Sequence, residues 1–363
     1  MKTVFLGLGR MGSPMARTIA QAGLALEVCN RDPEKAKPLA DLGLTVHRRP
    51  EAAFRQADLI LTMVSDDLAL TSLATAERLA LAAPSAVHVS LSTVSVELTE
   101  RLAALHASLG LSFAACPVFG RPEAAAAGAL QLCLAGPAEA KERARPWLNP
   151  LGRVWDFGLK PAGAVGVKLA GNFMIASLLE TLAEAFSLTE KHGVAPERFF
   201  ELMSGTLFDA PAVKTYGRLM LEANFENAGF PVRLGLKDIG LVKAAARDSR
   251  APMPLASLVE DRLLRLMARG WGELDWSSTG RLQREDAGLA ASSGRLEGGE
   301  AETGQDAARP RRSRSEGWPA DGPGGGVKAR VRGEPKKIEA GRKPPGRQSE
   351  MKAQACRPRR ARD

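Results

Sequence analysis

A short apolar run, Thr3-Val4-Phe5-Leu6, leads straight into Gly7-Leu8-Gly9-Arg10-Met11-Gly12 and from there into a helical pattern. Gly7 permits the tight turn that leaves the strand, Gly9 lets the backbone approach a pyrophosphate, and Gly12 lets the next helix pack closely on the strand. The first amides of that helix then face the anion. Glycines at this spacing are a weak signal alone, but the strand before them and the helix after them supply the context the motif requires. Residues 7–12 are therefore expected to hold a dinucleotide, with Leu8, Arg10 and Met11 among the contacts.

The alternation that starts here continues to about residue 157. Strands are predicted at 3–8, 26–30, 59–64, 87–91, 112–115, 130–135 and 154–157, with helices between them such as 33–42, 97–109 and 138–148. Short apolar runs alternating with amphipathic stretches specify a parallel sheet covered by helices, here a doubly wound α/β domain of the Rossmann type. After Gly163 the period changes. Residues 165–191 contain no Pro, and Leu169, Phe173, Ala176, Leu179, Ala183, Phe186 and Thr189 fall on helical spacing. A helix of that length reads as a connector to an all-α second domain, with further helices predicted at 196–204, 210–221, 235–248 and 255–269. The expected organisation is a dinucleotide-binding domain over 1–162, a helical domain over 163–289 and a disordered basic tail over 290–363.

Charge is divided in the same way. Of the chain's 50 Lys and Arg and 41 Asp and Glu, 18 and 10 fall in 291–363, leaving 32 and 31 for the rest. The net charge of +9 thus belongs almost entirely to a Gly-, Pro-, Ser- and Arg-rich segment that cannot bury enough apolar surface to offset its ordering entropy. A nearly neutral body fits a small-molecule enzyme better than a nucleic-acid binder, which needs a basic face on the fold itself. Cys29, Cys116, Cys133 and Cys356 are far apart and form no CxxC pair, so neither a zinc cluster nor a disulfide framework is expected. The first apolar run is too short for a signal peptide, and no stretch is read as approaching the ~20 apolar residues of a membrane span. A reducing cytoplasm is the expected location.

Three constellations carry chemistry. At the end of the second strand, where an acidic residue would hold both ribose hydroxyls of NAD, the chain has Asn30-Arg31-Asp32. A neutral Asn followed by Arg suits a 2′-phosphate, and Lys35 could add a second positive charge, so NADPH is expected, with NAD as the alternative. Asp32 could instead cap the next helix or oppose the phosphate. Met63 and Val64, at the carboxyl end of the 59–64 strand, join the cofactor set. The second constellation is Gly163-x-x-Gly166-x-Lys168-x-x-Gly171-Asn172, in which Lys168 and Asn172 emerge on one helix face and the glycines leave room for a ligand or chain segment. The third is Cys116-Pro117-Val118-Phe119-Gly120-Arg121-Pro122, a loop following a strand, where α/β sheets place their ligands.

Together these motifs resemble the β-hydroxyacid dehydrogenase family, the group containing 3-hydroxyisobutyrate dehydrogenase and the glyoxylate/succinic semialdehyde reductases. The resemblance covers about residues 1–289. Gly7 through Ala16 is similar to the family's cofactor signature, Ser92-Thr93 to its nicotinamide-side loop, Pro117-Val118-x-Gly120 to its substrate loop, Gly166-x-Lys168-x-x-x-Asn172 to its catalytic motif, and Phe230 through Ile239 to its C-terminal cofactor stretch. The resemblance implies that Lys168 is the acid/base, that Asn172 positions the substrate or Lys168, and that Thr93 and Lys237 contact the cofactor. It also implies that Pro117, Val118, Phe119, Gly120 and Arg121 hold a substrate carboxylate on a small carbonyl or hydroxyacid compound, and that the long helix bridges the subunits of a dimer or tetramer. The chain departs from the pattern at its substrate loop, where Phe119-Gly120-Arg121 stands in place of Ser followed by two Gly. The loss removes a hydroxyl; Arg121 could replace it with a bidentate contact, and Phe119 makes the pocket narrower and more apolar. An unperturbed lysine is protonated at neutral pH, so reduction is the expected direction. The alternatives are an imine reductase-like enzyme, against which Lys168 speaks, and a non-catalytic dinucleotide-binding scaffold whose tail touches nucleic acid.

Overall fold

A computed structural model describes residues 1–290, and all but the first residue of the segment read as the 290–363 tail lies outside them. Nine strands form two sheets: β1 (Thr3–Leu6), β2 (Glu27–Cys29), β3 (Thr45–His47), β4 (Leu59–Thr62), β5 (Val87–Ser90) and β6 (Ser112–Ala115) in the first, β7 (Val118–Phe119), β8 (Leu130–Leu134) and β9 (Gly152–Asp156) in the second. The α/β part carries helices α1 (Gly12–Gln21), α2 (Lys37–Ala40), α3 (Pro50–Phe54), α4 (Asp67–Leu73), α5 (Ala76–Leu79), α6 (Val96–Ser108), α7 (Pro122–Ala126) and α8 (Ala138–Leu148). The helical part consists of α9 (Pro161–Lys191), α10 (Pro196–Gly205), α11 (Pro211–Leu221), α12 (Val232–Asp248), α13 (Pro254–Ala268) and α14 (Thr279–Asp286).

The six-stranded sheet is parallel throughout, in the order β3-β2-β1-β4-β5-β6. Its central strands are buried on both faces, which is why they read as continuous apolar runs. Strand order reverses between β1 and β4, and the loops leaving their carboxyl ends, Gly7–Gly12 and Met63–Val64, open at that switch point. In the smaller sheet β7 runs antiparallel to β8, and β8 parallel to β9. A single bridge, Ala115 to Ala135, ties it to the edge of the large one.

Several boundaries differ from the sequence reading for identifiable reasons. The strands read as 3–8 and 59–64 end two residues early because the chain turns into ligand loops, Gly7 having a left-handed φ of 98°. β3 was not foreseen: its three residues are half exposed at a sheet edge and carry little apolar pattern. The helix read as 33–42 is a 3-10 turn, Pro33–Ala36, followed by the short α2, with Asp32 as its cap; Asp32 Oδ1 accepts from Glu34 N at 3.1 Å. The long helix starts four residues before 165, at Pro161, a residue whose fixed φ suits the first helical position.

α9 also corrects one expectation. It is long and apolar enough, by length and composition, to cross a membrane. Polar residues interrupt its apolar run, and four of them, Lys168, Asn172, Glu180 and Ser187, are buried in protein. At roughly 46 Å for 31 residues, α9 is the central helix of the fold. It packs on α6, β6 and β8 at one end and on α10 through α14 along its length.

Candidate active site

The glycine loop is shaped by close approach. A Cβ on Gly7 would lie 2.2 Å from the carbonyl oxygen of Met63, and one on Gly12 would lie 1.9 Å from that of Gly7. Gly9 has open space where a side chain would be, and the first turn of α1 receives no side-chain cap. Backbone amides at a helix start beside an open glycine form a cradle that fits the pyrophosphate of a dinucleotide. Asn30 braces this loop: its Oδ1 accepts from Leu8 N at 2.8 Å and its Nδ2 donates to Asp32 O at 2.8 Å. Arg31 and Lys35 stand exposed beside it, without a side-chain hydrogen bond or ion pair among the described residues. Val64 N donates to the hydroxyl of buried Ser92 at 2.8 Å, which fixes the other wall of the switch point.

Three cationic side chains cross from one part of the fold to the other around this opening. Arg10 Nη1 donates to Ala228 O at 2.6 Å. Lys237, on α12, donates through Nζ to Thr93 O at 2.7 Å and Ser65 O at 3.0 Å, and its Nζ lies 2.9 Å from Asp238 Oδ1 in an ionic contact. Arg121 Nη1 donates to Asp275 Oδ2 at 3.1 Å. Asp275 is fully buried and accepts four more hydrogen bonds, from Gly229 N, Phe230 N, Ser277 N and Ser277 Oγ. The guanidinium lies directly against Gly229, where a Cβ would fall 2.1 Å from Arg121 Cζ.

Between these crossings lies a buried polar chain. Lys168 Nζ donates to Asn172 Oδ1 at 2.9 Å, and Asn172 Nδ2 donates to Asp238 Oδ2. All three residues are at most 8% exposed. Burial pulls the Lys168 ammonium down to about 8, with the nearby Asp238 carboxylate opposing that shift and Lys237 adding to it. A lysine left at its ordinary value would favour reduction alone; one held near 8 can donate or accept a proton close to neutrality. The ring of Phe119 covers the same ammonium, with Nζ 4.1 Å from its centroid.

The structure therefore brings together the residues read from separate motifs. Gly7–Gly12, Met63, Val64, Thr93 and Lys237 gather at the switch point, and Lys168, Asn172 and Phe119 meet beside Asp238. Pro117 and Val118 are fixed by the small sheet: Pro117 O accepts from Cys133 N at 2.9 Å, and Val118 pairs with Leu132. Gly120 takes a φ of 137° against Leu130. Sequence reading gave no role to Asp238, although it follows Lys237 in a motif it used. Asp275 and Gly229 were missed altogether, and the only signal was local: Asp275-x-Ser277 is a cap pattern, its carboxylate accepting from Ser277 N. Among the described residues no group of His, Cys, Asp and Glu could hold a metal, and Cys29, Cys116 and Cys133 are free and buried.

A doubly wound sheet with a dinucleotide cradle and a buried lysine beside it defines an NAD(P)-dependent dehydrogenase. Residues 2–160 match the NAD-binding domain of 6-phosphogluconate dehydrogenase, and residues 162–282 match the NAD-binding family of NADP-dependent 3-hydroxyisobutyrate dehydrogenase. The chain is 42% identical over 281 residues to the uncharacterized oxidoreductase YfjR of Bacillus subtilis, covering 77% of this chain and 98% of that one. It is 32% identical over 292 residues to 3-hydroxyisobutyrate dehydrogenase of Pseudomonas aeruginosa, covering 77% and 97%. Among solved structures it is similar to 3-hydroxyisobutyrate dehydrogenase of Mycobacterium tuberculosis with L-serine, at a TM-score of 0.72 and 30% identity, covering 78% and 99%. The chain belongs to the β-hydroxyacid dehydrogenase family.

Proposed function

We propose that the chain is an NADPH-preferring oxidoreductase that interconverts a small carboxylate-bearing carbonyl compound and its hydroxyacid, with Lys168 as the general acid/base. The observation that carries this reading is the buried Lys168–Asn172–Asp238 chain next to the glycine cradle. The nicotinamide cofactor, when bound, supplies or accepts the hydride. Lys168 gives a proton to the carbonyl oxygen in reduction and takes it back in oxidation. Asn172 holds the amine at a fixed height, and Asp238 orients Asn172 and stabilises the charged form. Arg121 has Nη1 engaged by Asp275 and Nε 3.9 Å from Glu123 Oε2, and Nη2 is the group we assign to a substrate carboxylate. Arg31 supports the preference for a 2′-phosphate. The domain boundary at 162/163, a homodimer or homotetramer and a cytoplasmic location belong to the same proposal.

The test is titration of the full chain with NADPH and NADH, followed by a screen of NADPH oxidation against glyoxylate, succinic semialdehyde and larger carbonyl acids. Turnover in the wild type and a loss of about a hundredfold or more in Lys168→Ala, with cofactor affinity kept, is the expected result for a general acid. Undiminished turnover in Lys168→Ala would overturn the assignment. Tight NADPH binding without turnover on any carbonyl compound, but with turnover on an imine, would favour the imine reductase reading.

A further inference from the structure

Lys168 has three N–H donors, and Asn172 Oδ1 takes one of them. The Asp238 carboxylate is reached only through Asn172, so it does not itself receive a hydrogen bond from the ammonium. The Cys133 thiol on β8 and Lys237 on α12 also act on the ammonium, the first raising and the second lowering its pKa, and the face of Phe119 lies against it with the centroid 4.1 Å from Nζ, within the range of a cation–π contact. The backbone is arranged to admit that ring. A Cβ on Gly171 would lie 2.3 Å from Phe119 Cζ and 2.6 Å from Cε1, so only glycine at this position of α9 leaves room for it. Gly171 is three residues after Lys168, on the stripe of helix that the lysine side chain shares. From the other side, Phe119 is held by its pairing with Gln131, and Gly120 follows in a conformation that a side chain would not tolerate against Leu130.

We propose that Phe119 is a positioning residue for Lys168: its ring face, admitted by Gly171, seats the ammonium beside Asn172. The inference rests on Lys168 being the proton-transferring group, but the geometry can be tested without turnover. An aromatic face favours the charged amine, so removing it deepens the effect of burial. A ring that only fills space would leave the ionisation of Lys168 where it is.

The measurement is 13C NMR of lysine Cε in the full-length protein as a function of pH, with the Lys168 signal assigned by its absence in Lys168→Ala. The midpoint expected for the wild type is about 8. In Phe119→Leu, which keeps apolar volume without the ring, the midpoint falls by about one pH unit. Gly171→Ala, by displacing the ring, lowers it as Phe119→Leu does. A midpoint unchanged or raised in Phe119→Leu, with a thermal midpoint close to wild type, would overturn the proposal. Should Lys168→Ala keep its turnover while the NMR midpoint moves as described, the catalytic reading falls and the seat of the amine stands.

Discussion

With Lys168 in the acid/base role we propose, its ionisation sets how the two directions of reaction depend on pH, and Asp238→Asn is the substitution that probes it. A lysine at 10.5 is neutral at pH 7 to about one part in three thousand, whereas one held near 8 is neutral to about one part in ten. The neutral amine needed for oxidation is thereby enriched roughly 300-fold, while about nine-tenths of the molecules still carry the proton that reduction needs. The reductive kcat should stay level up to pH 7 and fall as pH rises through about 8, and the oxidative kcat should rise through the same range and then level off. Asp238 raises this value, so exchanging its carboxylate for a carboxamide of the same shape should lower both limbs by about one pH unit. Steady-state kinetics in both directions from pH 5.5 to 10.5, with saturating cofactor, provide the assay. Limbs that lie near 10 in the wild type, or that Asp238→Asn leaves in place, would refute the reasoning.

Arg31→Ala should weaken NADPH and leave NADH binding level, and fluorescence titration with each cofactor checks it; equal weakening of both would contradict a phosphate role. Asp275→Ala strands the Arg121 guanidinium and breaks five hydrogen bonds, at a cost of about 3–5 kcal/mol in stability by chemical denaturation. The milder Gly229→Ala should displace Arg121 and raise KM more than it lowers kcat. Acid should destabilise the α/β part through His88 and His106, both buried. Leu102 O can only accept, so His106 donates to it through Nδ1, His106 Nε2 accepts from His88 Nδ1, and His88 Nε2 accepts from Thr62 Oγ1. Burial holds His106 down at about 4, and burial together with the neighbouring His106 holds His88 well below its ordinary value. The unfolded chain therefore binds these protons more readily, and stability should fall as pH drops from 6.5 towards 4. Thermal melts of the wild type and His106→Gln across that range measure it, the variant having the shallower slope.

How much of this could be read from the sequence depends on how local each cause is. The glycine loop was legible because the turn at Gly7, the open backbone at Gly9 and the helix start at Gly12 all fall within six residues. Lys168 and Asn172 were legible for the same reason, one helical turn apart. The strand ends were overread because nothing in an apolar run such as 59–64 marks where pairing stops and a ligand loop begins. Asn30 was picked out as standing where an acidic residue would hold the ribose of NAD, yet its contact with Leu8 N depends on the parallel pairing of β1 and β2. Arg121 and Asp275 lie 154 residues apart, and no periodicity connects them. The depression of Lys168 was beyond reach in principle, since burial is a property of everything packed around the amine.

The same contrast explains why the site sits where two kinds of structure meet. The sheet alone offers a cradle of backbone amides and a switch point, but no proton donor. The helical part alone has Lys168, Asn172 and Asp238 on α9 and α12, but no dinucleotide cradle. Arg10, Lys237 and Arg121 each reach across to a carbonyl or carboxylate of the other part, so the amine is buried only when both parts are packed together. Burial of an ammonium costs stability, by about 3 kcal/mol for a displacement from 10.5 to about 8. That cost is present in full below pH 8 and shrinks as pH rises towards 10.5, because over that interval the unfolded chain binds the proton and the folded one does not. A stabler protein could be made by exchanging Lys168 for an apolar residue; the fold instead retains a buried amine close to the glycine cradle, the arrangement that the proposed proton transfer requires.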